Sequence, residues 1–149
     1  MKFEKFFKMA GTHGEIVKRN EVESWLICEG VGMRIPDGIN NLGAAIKAND
    51  VFNTIVHSEP DDDYLHLKEA VLLDPEGKAG DIIRVFETDL GDRAGIYNSR
   101  YGLLEKRDRL TYLEIEDDDP DHEGEILKYI VVRDHNDEVV GFINATSEI

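Results

Sequence analysis

The chain has a single cysteine, Cys28, which rules out an internal disulfide and a cysteine-only metal site. Its neighbours Trp25, Leu26 and Ile27 are apolar, so a small buried hydrophobe is the expected role. A catalytic thiol would also need a histidine beside it in space. Long hydrophobic runs are missing too. The opening MKFEKFFKMAG interleaves lysine with phenylalanine, so neither a secretory signal nor a membrane span is expected there. Asn144-Ala145-Thr146 fits a glycosylation sequon, but without an export signal no glycan is expected.

Positive charge is in deficit. Lys and Arg number 17 against 32 Asp and Glu, a net charge of −15, and the pI is about 4.6. Such a surface repels nucleic-acid phosphates and anionic lipid, so no direct nucleic-acid binding and no membrane binding are expected. It attracts cations and basic partners. The expected location is the cytoplasm.

Motifs of common chemistries are also missing. Gly30-Val31-Gly32-Met33-Arg34 lacks the third glycine of a dinucleotide loop, and no GKS or GKT follows a glycine-rich turn. His13, His57, His66, His122 and His135 form no HExxH or HxH pair, and there is no GxSxG. An enzyme is therefore the less favoured reading, and no catalytic residue is nominated.

What is present suits a single domain over residues 1–149, with 41% hydrophobic and 33% charged residues. Its centre is Ile126 to Ala145, two β-branched runs around the polar turn Asp134-His135-Asn136-Asp137-Glu138, which predicts a hairpin. Ile130 and Val132 lie on one face of the first run and Tyr129 and Val131 on the other. A strand apolar on both faces belongs inside a structure. Glu15–Arg19 with Ser24–Cys28, and Ile82–Glu87 with Arg93–Tyr97, predict two further hairpins, and Leu110–Glu116 predicts a strand by clean alternation. Val85, Gly95 and Asn98 recur as Val131, Gly141 and Asn144, each 46 residues on, which reads as reuse of one hairpin unit.

Helices are expected at three places. Phe3, Phe6, Phe7 and Ala10 fall on one helical face within residues 1–11 and predict a docking helix, packed on its own core in preference to a second subunit. Asp37 can cap a short helix with Ile39, Leu42 and Ile46 on its apolar face. Ser58-Glu59-Pro60-Asp61 reads as a helix start, which narrowly favours helix over strand for Tyr64–Leu73; Val51–His57 reads as a strand. The resulting fold class is α+β and β-rich. Antiparallel hairpins form a sandwich, a bent sheet or a partly open barrel, with two or three short helices.

Two charged stretches are candidate sites. Residues 114–125 carry eight carboxylates in twelve positions. Asp117, Asp119 and Asp121 match the first three ligand positions of an EF-hand, which leaves calcium or magnesium as the ion class this acidic loop (117–125) would hold. His122 and Lys128 stand where the motif needs glycine and glutamate, so a solvated loop is favoured and no cofactor is expected. Arg100, Lys106, Arg107 and Arg109 form the one concentrated basic stretch. With Phe3, Phe6 and Phe7 they make the candidate interface, meeting a neighbouring subunit's acidic loop; pairing within the chain to Glu105 and Asp108 is the favoured alternative.

The favoured function is a non-catalytic protein-interaction or assembly domain, binding a protein partner or itself; a small structural or accessory protein of phage or prophage type would suit this profile. Two alternatives are a divalent-metal-dependent hydrolase using the Asp-rich loops, and an acidic nucleic-acid mimic inhibiting a DNA-binding protein.

Overall fold

Alternating apolar and polar residues produce the expected hairpins, and pairing among them builds two sheets. The computed structural model describes residues 1–39, 43–60, 63–73, 76–77, 82–117 and 120–147. Helix α1 (Phe3–Ala10) precedes strands β1 (Glu15–Lys18), β2 (Ser24–Cys28), β3 (Val31–Arg34) and β4 (Ala45–Ile46). Helix α2 (Asp50–Val56) leads to β5 (His66–Leu72), β6 (Ile82–Glu87) and β7 (Arg93–Tyr97). The one-turn helix α3 (Asn98–Tyr101) is followed by β8 (Arg109–Glu116), β9 (Ile126–Arg133) and β10 (Val139–Asn144). The fold is therefore β-rich α+β with short helices, as expected.

The larger sheet runs β4-β1-β2-β3-β10-β9-β8 and the smaller β5-β6-β7, neither closed into a barrel. Among the described residues every strand pairing is antiparallel except β4 with β1. The β2–β3 turn is Glu29-Gly30 with φ of 49° and 80°, the left-handed pair a two-residue hairpin requires.

Strand β9 lies inside the larger sheet, and from Tyr129 to Arg133 both its faces are covered. Ile130 and Val132 join a core cluster that also holds Leu26, Met33 and Ile143 of this sheet, Phe86 and Ile96 of the smaller sheet, and Phe6 of α1. Tyr129 and Val131 face a second cluster built from Trp25, Phe142 and the apolar side of α2. Layers of α2, large sheet, and small sheet with α1 result. Burying one such side chain contributes about 1.5–3 kcal/mol, so β9 anchors both layers.

Three expectations are corrected. Residues 64–73 are not helical: His66–Leu72 is strand β5, paired with β6 through a bulge between Leu67 and Glu69. The expected helix start at Ser58 instead terminates α2, whose Ile55 carbonyl accepts from both the Ser58 amide (3.2 Å) and its hydroxyl (2.6 Å); Asp61 lies outside the described residues. Val51–His57 is not a strand. Asn49 caps α2 by accepting from the Phe52 amide at 2.8 Å, and Phe52, Ile55 and Val56 bury one helical face. Finally, Ile46 is in no helix. Ala45–Ile46 adds in parallel to Ile16–Val17 of β1, while Leu42 lies outside the described residues.

The echo between hairpins is not a shared register. Val85 sits opposite Gly95, but a bulge between Val139 and Gly141 puts Gly141 opposite Val132.

Candidate interaction edge

Strand β5 stands out among the sheet borders. The chain first pairs with the larger sheet, the Leu65 amide donating to the Leu110 carbonyl at 2.8 Å beside a Tyr64–Thr111 bridge. It then crosses to the smaller sheet, where β5 takes the outer position. Six of its seven residues are exposed and Val71 is half-buried. The bulge at Lys68 sorts its faces. Leu67, Ala70 and Leu72 lie opposite Phe86, Arg84 and Ile82, and so continue the face of β6 on which Phe86 joins the core cluster and Arg84 is half-buried. His66, Glu69 and Val71 lie opposite Glu87, Val85 and Ile83.

The cations beside β5 are already held. Lys68 pairs with Glu87 at 2.6 Å; Arg93 reaches Glu69 at 3.4 Å and Glu87 at 3.6 Å. Asp63 caps the β6–β7 turn by accepting from the Asp89 and Leu90 amides. The other borders are shorter or better guarded. Strand β4 has two residues, β7 receives the Thr146 amide on the Gly95 carbonyl at 2.8 Å, and β8 carries exposed Glu114 and Glu116 beyond its Tyr64 bridge. Native proteins shield long edges because unpaired backbone groups recruit other strands, and a bulge with a lysine is one such shield.

The nominated interface residues scatter. Phe6 is buried in the core cluster, whereas Phe7 is 44% exposed and stacks with half-buried Phe3 at 6.1 Å between ring centres. Arg100 clasps the β2–β3 turn, donating to the Glu29 carbonyl at 2.6 Å. Arg107 pairs with Glu105 at 2.9 Å, and Lys106 is exposed. Arg109 pairs with Asp137 at 3.0 Å and lies over the Tyr64 ring. Three of these four basic residues thus bond within the chain.

Asp117 closes the acidic loop, its amide donating to the Glu125 carbonyl at 2.9 Å, and Asp121 sits in a short 3-10 turn. Asp119 lies outside the described residues. Among the described residues no group of three His, Cys, Asp or Glu side chains is placed to hold a metal ion.

Sequence reasoning missed the buried Arg133, which is 2% exposed. Its guanidinium donates to Thr111 Oγ1 at 3.1 Å, the Asp137 carbonyl at 3.0 Å, and the Ser58 carbonyl and hydroxyl at 3.1 and 3.0 Å. Burial lowers its pKa, opposed by the Asp137 carboxylate. Arg133 thereby ties the end of α2 to the β9–β10 turn, one wall of a cleft of about 650 Å³. An arginine in a strand of apolar residues is the signal, since burying it demands several acceptors. The Cys28 thiol is pushed up by burial and by Glu29, which disfavours the nucleophilic thiolate.

Comparison with protein-family models, curated proteins and solved structures gives no match for this chain. No helix of the described residues is long and apolar enough to cross a membrane.

Proposed function

We propose that this chain is a non-catalytic interaction domain that takes an extended protein segment along β5 as an added strand. The observation carrying this reading is the outer edge of β5, seven residues long, exposed, and unpaired among the described residues. Such an edge offers a guest main-chain hydrogen bonds for affinity and alternating side-chain contacts for specificity. The small sheet has three strands, and a fourth would bring it into the commonest range of sheet sizes.

The test is a titration of isotope-labelled protein with an alternating Thr-Val octapeptide, read by amide shifts and amide exchange. Strand addition moves the signals of residues 66–72 and slows their exchange. Responses lying elsewhere, or no response to any extended peptide, would sink the reading.

A further inference from the structure

We propose that the segment received by β5 alternates apolar and basic residues and belongs to another protein rather than to a second copy of this chain. This rests on the strand-addition reading above and adds the chemistry of the guest.

The edge has two unlike sides. One is apolar: Leu67 and Leu72 are 47% and 53% exposed, with Ala70 between them, and they continue the face on which Phe86 is buried. A guest strand places every second side chain on that face, so apolar residues there cover surface that water now touches. The other side carries Glu69 between His66 and half-buried Val71, with Glu87 and the fully buried Val85 and Ile83 opposite them on β6. Its cations Lys68 and Arg93 are both held by those two carboxylates. Among the described residues between 63 and 97 there are six carboxylates and three cations. The intervening guest side chains therefore enter a negative field, which favours Lys or Arg and penalises Asp or Glu.

The same charges oppose a second copy. Two antiparallel copies related by a two-fold axis set one residue opposite itself, and centring β5 on its middle residue puts Glu69 against Glu69. Each whole chain also brings a net charge of −15.

Three labelled octapeptides, alternating Lys-Val, Thr-Val and Glu-Val, are titrated into the full chain and followed by fluorescence anisotropy. Lys-Val is expected to bind about tenfold tighter than Thr-Val, and Glu-Val weakest of all. The difference is expected to vanish in about 1 M salt, where screening reaches about 3 Å. Glu69→Lys should erase most of the Lys-Val advantage. Ala70→Pro and Val71→Pro remove donors that point to opposite sides of the strand; the variant that keeps its circular dichroism should lose binding. Should both unfold, amide shifts of the wild-type chain locate the Lys-Val peptide.

Equal binding of Lys-Val and Thr-Val at residues 66–72 overturns the charge preference and leaves strand addition standing. Lys-Val binding that ignores the folded proline variant, or maps outside residues 66–72, overturns both. A dimer in sedimentation that Glu69→Lys or the folded proline variant dissociates gives the edge to a second copy and overturns this inference.

Discussion

The ring of Phe142 occupies the space a side chain on Gly32 would need. The two residues are directly opposed across β3 and β10, and a β-carbon on Gly32 would lie 2.3 Å from two ring carbons. Phe142 is fixed there by Trp25 at 6.0 Å, Phe52 at 6.4 Å and Tyr129 at 5.8 Å between ring centres. Gly32→Ala should therefore destabilise by about 1–3 kcal/mol through overpacking. Adding Phe142→Leu should return part of that loss in a double-mutant cycle. Urea midpoints give the answer, and an unchanged midpoint for Gly32→Ala would show that the ring moves freely.

Arg133→Met keeps much of the volume and removes four hydrogen bonds, leaving the Ser58 and Asp137 carbonyls without this donor. The expected cost is about 2–4 kcal/mol by chemical denaturation, with Ser58→Ala costing less because it deletes two hydrogen bonds, one from Arg133 and one to the Ile55 carbonyl, and leaves the guanidinium its other three. Equal losses in the two variants would contradict this account.

Asn49→Ala removes the side chain that accepts from the Phe52 amide at the start of α2. About 1 kcal/mol of stability should go with it, visible as a lower thermal midpoint, while Asn49→Asp should keep most of it.

Cys28 should be a slow nucleophile. Burial, then Glu29, raises its pKa against the opposing pull of Arg100. The alkylation rate by iodoacetamide, plotted against pH, should rise only above the free-cysteine value of about 8.5. An inflection below that value would contradict the setting described for the thiol.

Alkaline stability should be limited by tyrosine. Burial, followed by the bond to Glu114, pushes the Tyr112 hydroxyl far up, and burial also raises Tyr129. A raised folded pKa favours the protonated form, so this contribution is intact below about pH 10 and lost as pH climbs past it. Melting temperatures should fall above that pH, and Tyr112→Phe should lessen the fall.

Sequence reasoning reached the hairpins because their evidence is local. Period-two alternation and polar turns mark β1–β2, β6–β7 and β9–β10, and the doubly apolar character of residues 129–132 foretold a strand covered on both sides. The misreading of residues 64–73 came from taking Ser58-Glu59-Pro60-Asp61 as a helix start, where Ser58 instead closes α2 on the Ile55 carbonyl. A bulge at Lys68 resets the alternation, so Leu67 shares a face with Ala70 and Leu72 and not with Val71. A strand whose parity shifts midway offers a weaker alternation to set against such a start signal. Segment 51–56 misled in the opposite way, because β-branched Val51, Thr54, Ile55 and Val56 masked a helix that its Asn49 cap declares. The β5 edge itself was beyond reach. Being an edge is a property of strand order, and strand order is set by contacts far apart in the chain.

The position of β10 has a consequence in time. Residues 139–144 lie between β3 and β9, yet β3 leaves the ribosome more than a hundred residues earlier. Until β10 is made, β3 lacks one of its two partner strands and Trp25 lacks the ring that stacks on it. Assembly must pause for the closing hairpin, which predicts slow, all-at-once folding, and a nascent chain halted before residue 139 should be a client for chaperones.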